Sequence, residues 1–480
     1  MGRLPNPLEQ FLLAIGYGLA KLNLIDSHRA RRTVHLAWPR IVTGLARTSK
    51  SAVDVAMVGV AVGPAAIAGV GFAGPFWALA FTIGAGLAAG TIALVSQGYG
   101  ADAYGQIGDS VRSSSLLVLL ISIPLATLFF AYPATLIGIL TDNPNHIREG
   151  AIYLQILAFG VPLAGLNLIG SRTLVGADDA WTAMVIRAGG AVANIGLNAI
   201  LIFGLGLGTA GAAAGTVLAN VGIAATFLIG FSRGHLPGIG DFPVTVSPFG
   251  QYVDPATMRD LVRISIPVVG RNSVWTIARF PMLAFVALFG EPVVAAYIVT
   301  RRIWMLMGAP GWGYGLAASS LVGQSLGTGD ESTADAYGRE IMRFAVVVYA
   351  IGAVGVFVFA EPIVGLFVDA GEAETIQIAV PIVYAAAGAI LGEGINRSLS
   401  GALDATGDTT WPFYGRALGM FGGAIPLIWL GAHTPLGMWG IYLSFFAEAF
   451  VPAAVVYIRF RSGRWKAISR QYRPAGTAGD

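Results

Sequence analysis

The chain alternates long apolar runs with short polar connections, and a run of about 20 apolar residues is the length of a membrane-spanning helix. Six such runs cover roughly 34–62, 64–97, 113–140, 151–171, 180–205 and 209–231, and six more cover 258–289, 292–324, 341–368, 376–403, 410–431 and 436–460. The runs are continuous and do not alternate residue by residue, which excludes a transmembrane strand barrel. The pattern therefore predicts an all-α membrane protein with about 12 transmembrane helices in two pseudo-symmetric six-helix lobes. The expected organisation is an N-terminal cytoplasmic or interfacial segment at 1–33, an amino lobe at 34–231, a cytoplasmic linker at 232–257, a carboxyl lobe at 258–460 and a basic cytoplasmic tail at 461–480. The apolar run 11–22 is too short to span and reads as an interfacial helix. The final PAGTAGD is expected to fray.

The first span breaks the pattern. It carries Arg40, Arg47, Lys50 and Asp54 within a membrane-length segment, and residues 40, 47, 51 and 54 fall on nearly one helical stripe with Lys50 a step away. An ionisable group at bilayer depth costs at least a few kcal/mol, so such a stripe should face a wet cavity or a partner helix. It reads as the wall of a transport pathway. The alternative, which can coexist with it, is that Lys50 and Asp54 neutralise each other one turn apart in a helix contact.

Composition narrows the class further. Of 480 residues, 55% are hydrophobic and only 11% charged, and the mean hydropathy is +0.70. A net charge of +3, carried largely by loops and ends, gives no reason to expect nucleic acid as a partner. With no cysteine there are no disulfides, thiolate metal sites or thiol catalysis, and the five histidines lack metal-ligand spacing. No P-loop is present, and Gly206, Gly208 and Gly211 form a G-x-G-x-x-G with no strand before it, which reads as a tight outer turn. No nucleophile and base pair suggests an enzyme. Placing both termini in the cytoplasm puts nearly all loop arginines and lysines on that side and leaves Arg148 outside, the bias expected of a multi-pass protein of the cell membrane.

The chain also repeats itself. LVSQGYGAD from Leu94 returns as LVGQSLGTGD from Leu321 (321−94 = 227), Pro39 returns as Pro267 (267−39 = 228), and Asp179 and Arg187 return as Asp408 and Arg416 (offset 229). An even number of spans per half makes these parallel repeats, with a site expected between them.

These motifs together resemble the multidrug and toxic compound extrusion (MATE) transporters over about residues 35–460. The match lies in the first-helix proline with Val53, Asp54, Val58 and Gly59, and in the SQ-x-x-G-A and GQ-x-x-G segments. The G-A-D-D and A-T-G-D-T turns and the N-x-x-x-N-x-x-L-I-F-G run from Asn194 complete it. The resemblance implies a V-shaped pair of lobes exporting organic solutes by alternating access in antiport with protons or sodium, with no cofactor. It also implies ion-coupling roles for Asp54 and Asn194, matching archaeal-type members, and for Glu393, matching another branch. Asn198 departs from the aspartate of several members, and the seventh helix carries Arg271 and Arg279 where that other branch has an acid.

From the residues themselves, Asp54 either takes a proton or shares sodium with the oxygens of Asn194 and Asn198, one turn apart on one helix face. Interhelical hydrogen bonding by the two asparagines is the plainer alternative. Arg47, Lys50, Arg271, Arg279 and Arg397 lie inside predicted spans against Asp54 and Glu393, so a cavity they lined would favour anions. Glu393 with Arg397 is also a plausible i,i+4 pair. Phe76, Trp77, Trp275, Trp304, Trp312 and Tyr314 are candidate flat walls for an organic solute, with helix packing as the alternative. Gln97 and Gln324 are expected in short loops capping mirrored helix ends. The expected partners are a small-molecule substrate and the lipid bilayer, and the expected state is a monomer. The competing reading is a flippase or exporter for an anionic, possibly lipid-linked, substrate held by arginine forks.

Overall fold

The computed structural model describes residues 6–368 and 372–474, and these are overwhelmingly helical. Most of PAGTAGD lies outside the described residues. In chain order the helices of the first half are α1 (Pro7–Lys21), α2 (Ser27–Ala61), α3 (Pro64–Gly100), α4 (Tyr104–Ala131), α5 (Pro133–Gly138), α6 (Pro144–Leu157), α7 (Gly160–Gly176), α8 (Ala180–Ala199) and α9 (Gly208–Arg233). Those of the second half are α10 (Pro255–Val286), α11 (Glu291–Met307), α12 (Ala309–Gly327), α13 (Glu331–Val358), α14 (Ala360–Gly365), α15 (Ala373–Ala405), α16 (Thr410–Ala417), α17 (Ile425–His433), α18 (Trp439–Arg461) and α19 (Trp465–Ser469).

Among the described residues, nine helical segments are long and apolar enough to cross a membrane, and α6 with α7 makes a tenth, bent by 50°. Helix α2, with its charges, and the pair α11 and α12, broken at Gly308, are not among these, and counting each as one span gives each half six. The bend corrects the single straight span expected at 151–171. Pro162 has no N–H to bond to the carbonyl of Ala158, and its ring crowds that carbonyl, so the helix restarts. The backbone closes instead with three-residue bonds, Phe159 N to Ile156 O and Val161 N to Ala158 O.

The chain divides into two compact units, one comprising Met1–Ile41 and Ile266–Arg473, the other built on Val42–Ser265. These boundaries differ from the lobes expected at 34–231 and 258–460. Helices α2 and α10 each start in one unit and finish in the other, and each changes unit beside an internal proline, Pro39 or Pro267. A proline inside a helix removes one backbone bond and allows a kink at that place.

In the first unit the core gathers around Phe445 of α18, whose ring lies 5.3 Å from Trp304 and 6.0 Å from Tyr297. Helix α1 buries Leu12, Gly16 and Leu19, and Gly16 leaves just enough room for Ala30 and Phe344. The tail is held as far as Tyr472: Trp465 is buried, stacks on Phe460 and donates Nε1 to the Phe460 carbonyl at 2.9 Å.

In the second unit the segment expected to be a plain linker is a small ordered platform. A two-residue antiparallel pairing, His235–Leu236 with Gly240–Asp241, turns the chain so that Phe242, Val244 and Val246 are buried. Arg112 donates to the carbonyls of Ser247 and Gln251, each at 3.1 Å, and holds the segment down.

Candidate functional site

Helices α2, α8 and α9 meet at one buried polar cluster in the second unit. Asp54 is 6% exposed, and Asn194 and Asn198 are fully buried. Lys50 Nζ donates to Asp54 Oδ2 at 2.7 Å. Asn198 Nδ2 donates to Asp54 Oδ1 at 2.8 Å and to Asn194 Oδ1 at 3.4 Å. Asn194 Nδ2 in turn donates to Thr216 Oγ1 at 3.2 Å, and Lys50 Nζ reaches the same hydroxyl at 3.4 Å. The helical period accounts for this convergence: Lys50 and Asp54 are four apart on α2, and Asn194 and Asn198 four apart on α8, so each pair shares a face. The structure thus brings Asp54, Asn194, Asn198 and Lys50 together, and adds Thr216, which sequence reasoning missed. Thr216 lies in an apolar helix where a lone threonine usually bonds to its own backbone, as this one also does, to Ala212 O at 3.0 Å.

One atom in the cluster has no partner. Asn198 Oδ1 is buried without a hydrogen bond, and it lies against Gly215 of α9, where an added Cβ would stand 2.0 Å from it.

Glu393, the other acid singled out, belongs to the first unit. Arg397 Nε donates to its Oε2 at 2.7 Å and Arg416 Nη2 to its Oε1 at 2.9 Å, so one buried carboxylate serves two guanidiniums. Arg271 is held bidentately by Asp404, at 3.1 and 2.7 Å. Arg301 pairs with the fully buried Glu448 at 2.6 Å. Lys50 and Arg397 thus each meet the carboxylate one turn away, the pairings held open above, and Arg271 meets Asp404, so the expected excess of positive charge is reduced at these three positions. Asp404 escaped notice because it falls one residue past the apolar run, although it still lies inside α15. Arg279 is exposed and sits 4.9 Å over the ring of Trp275.

Trp304 and Tyr314 are also corrected, being 6% and 0% exposed within the helix packing and thus not walls for a solute. Gln97 and Gln324 lie in the last turns of α3 and α12, not in loops. Gln324 accepts from Arg32 Nη2 at 2.7 Å and donates to Ser320 Oγ at 2.8 Å, fixing the start of α2 within the first unit.

In the second unit Arg47 is exposed, with its guanidinium carbon 4.7 Å over the ring of Phe81. Two further arginines of that unit, Arg172 of α7 and Arg187 of α8, were missed as chemistry. Arg172 falls just past an apolar run, and Arg187 served only as a repeat landmark. Both are half-buried and interact electrostatically with Arg47. Phe81 also lines a small recess of about 10 Å³, room for about one water, together with Trp77, Ala164 and Leu168 among others.

Among the described residues no group of histidines and carboxylates is arranged to hold a metal ion.

Comparison with known proteins places this geometry in context. A family model described as MatE matches residues 39–200 and 267–430. A probable multidrug resistance protein NorM of Bradyrhizobium diazoefficiens is 26% identical, covering 89% of this chain and 92% of that protein. One of the same description from Rhodopseudomonas palustris is 28% identical over 89% of this chain and 90% of its own length. Among solved structures, a MATE protein in complex with MaD3S has a TM-score of 0.80 at 21% identity, covering 92% of this chain and 97% of its own. A MOP superfamily transporter from Pyrococcus furiosus, described as having a binding pocket of reverse polarity that suggests a different function, has a TM-score of 0.81 at 21% identity. It covers 97% of this chain and 99% of its own. At these identities the structural likeness establishes the 12-helix fold.

Proposed function

The chain belongs to the MatE family, whose members are transporters and not enzymes, and we propose that it exports small organic solutes across the cell membrane by proton-coupled alternating access. The observation that carries this reading is the enclosure of Asp54 by Lys50 and Asn198. Charged, Asp54 has a complete set of partners: an ammonium on one oxygen and an amide N–H on the other. Protonated, it becomes a donor and loses its hold on Lys50. Rotation of the Asn198 amide would then present the unpartnered Oδ1 as its acceptor. Each protonation state thus has a partner, and the two states differ in what ties α2 to α8. A proton shifts a conformational equilibrium only through such a difference.

Sodium fits this cluster less well. The place a cation would take against Asp54 is already filled by the Lys50 ammonium, which a metal ion would have to displace. Among the described residues the nearby oxygens are those of asparagines, a threonine and the Tyr153 hydroxyl that bonds to it, with no second acid bonded to Asp54. This supports the proton as the coupling ion. The distribution of lysine and arginine supports both termini in the cytoplasm, and two six-helix halves in one chain are enough for a working monomer.

The test is transport by purified protein in liposomes, with pH and sodium gradients imposed separately against a panel of charged and neutral organic solutes. The reading expects accumulation driven by the pH gradient and unchanged by sodium. Transport driven by sodium alone, or by neither gradient, would overturn it.

A further inference from the structure

We propose that α1 is a lipid-binding element: it lies in the headgroup layer at the membrane face where α2 and α13 begin, sets Phe11, Tyr17, Leu22 and Leu24 among the lipids, and holds an anionic phospholipid at Lys21. The proposal stands apart from the coupling reading, since it concerns where a helix sits and not which ion drives transport.

The first argument is the distribution of side chains around α1. Leu12, Gly16 and Leu19 recur at the helical period and are buried against the protein. The opposite face exposes Gln10, Phe11, Ala14, Tyr17, Gly18 and Lys21. Phe11 is 50% exposed, and Leu22, just beyond the helix, is 69% exposed, with Leu24 close behind. A helix face turned to water carries charged and polar residues along its length. Helix α1 has two charges: Glu9 meets His35 of α2 at 3.1 Å, and Lys21 alone is left on the exposed face, in the last turn. Apolar and aromatic residues with a basic residue beside them suit a helix lying in the plane of a membrane interface.

The second argument is depth. Gly16 lies against Ala30 of α2 and Phe344 of α13, and an added Cβ would stand 3.3 Å from each. Ala30 and Phe344 flank the starts of the apolar runs at 34 and 341, where each span enters the hydrocarbon. The link from α1 to α2 is pinned at the same level. The Asp26 backbone N–H donates to Glu340 Oε2 at 3.0 Å, and Arg343 Nη1 donates to the Leu24 carbonyl at 2.7 Å. Arg29 forks onto Glu340 at 2.9 and 2.7 Å. Both spans therefore hold α1 at headgroup height, with its apolar face turned away from them.

The third argument is charge. Lys21, Arg31 and Arg343 are exposed at this level beside the exposed Asp26, while Glu340 is taken up by Arg29. A basic surplus at the headgroup layer attracts anionic lipid. Through Gly16 against Ala30 and Glu9 against His35, lipid held on one face of α1 steadies the start of α2, the helix that carries Asp54.

The chain has no cysteine, so Phe11→Cys, Tyr17→Cys and Leu22→Cys can each carry a single nitroxide in the purified full-length protein, with Ile351→Cys, exposed on α13, as the lipid-facing reference. All four positions are exposed, so the label leaves the packing in place. Power saturation compares collisions with oxygen, which concentrates in lipid, and with a nickel chelate, which stays in water. In liposomes of phosphatidylcholine with phosphatidylglycerol, the labels at 11, 17 and 22 are expected to favour oxygen, as the label at 351 does. Lys21→Glu should shift the label at 17, one turn away, toward the chelate in these liposomes and not in phosphatidylcholine alone. Preference for the chelate at 11 and 17 would overturn the proposal by showing a face in water. Dipolar broadening that disappears on dilution with unlabelled protein would overturn it by showing a second copy on this face. An equal shift from Lys21→Glu in both lipid mixtures would overturn the assignment of an anionic phospholipid.

Discussion

Asn198 donates its side-chain N–H to Asp54 at 2.8 Å, joining two helices whose residues lie 144 positions apart in sequence. This bond, with the Lys50 ammonium on the other carboxylate oxygen, makes the protonation of a single group a structural event within the second unit.

Lys50→Ala should therefore cost more than an ordinary surface lysine. Removing one partner of a mostly buried pair leaves the other uncompensated, at about 2–4 kcal/mol here, at or below the range for fully buried pairs because Lys50 retains some exposure. The double variant with Asp54→Ala should recover part of that loss. Thermal unfolding of the two single variants and the double variant gives the coupling; simple additivity would show that the contact contributes little.

Gly215 is required by its closeness to Asn198. A Cβ there would stand 2.0 Å from Asn198 Oδ1, so Gly215→Ala should push the amide away from Asp54. Its gradient-driven transport should fall to the level of Asn198→Ala, roughly tenfold or more, as for the loss of one hydrogen bond to a charged group. Gly222, further along α9, has open space at its Cβ and serves as the control. Equal activity of the Gly215 and Gly222 alanine variants would show that the amide's position does not matter.

In the first unit, Glu393→Gln should destabilise more than Arg397→Gln. The acid serves both Arg397 and Arg416, whereas the Arg397 side chain is 42% exposed and its loss leaves the Arg416 pair intact. The expected cost for the acid is about 3–5 kcal/mol. Melting temperatures in one detergent decide the order, and a larger drop for Arg397→Gln would contradict this account of the triad.

Asp330 caps α13, accepting from the backbone N–H groups of Ser332 and Thr333 at 3.1 and 2.9 Å. Bonds from Thr333 and Ser332 lower its carboxyl to about 2. A depressed folded value means that the cap's contribution is present in full above the ordinary carboxylate range and is lost as pH falls through about 2. Asp330→Ala should cost about 1 kcal/mol at neutral pH. The gap in melting temperature between variant and wild type should be the same at pH 5 as at pH 7; a gap that closes by pH 5 would contradict the cap.

The sequence made the fold legible because membrane spans are written in length and hydropathy, and the repeat of Pro39 at Pro267 and of Asp179 at Asp408 tied the halves together. Asp54, Asn194 and Asn198 were legible as a candidate cluster because spacing on a helix fixes which side chains share a face. The i,i+4 pairs Lys50 with Asp54 and Glu393 with Arg397 were legible too, but charges that cancel between distant segments were not. Arg271 meets Asp404, and Arg416 meets Glu393, across distances in sequence that no local pattern encodes. The exchange of chain ends between units was hidden for the same reason: α2 and α10 read as single apolar spans, and only packing shows which neighbours each end chooses.

The central claim is that Asp54 couples transport to the proton, and the most direct measurement compares two modes in the same Asp54→Asn proteoliposomes. Exchange of labelled for unlabelled substrate at equal pH needs only binding and rocking, while accumulation against a concentration difference also needs the proton. The account predicts that exchange persists and pH-driven accumulation disappears. Accumulation at the wild-type level in this variant would contradict it.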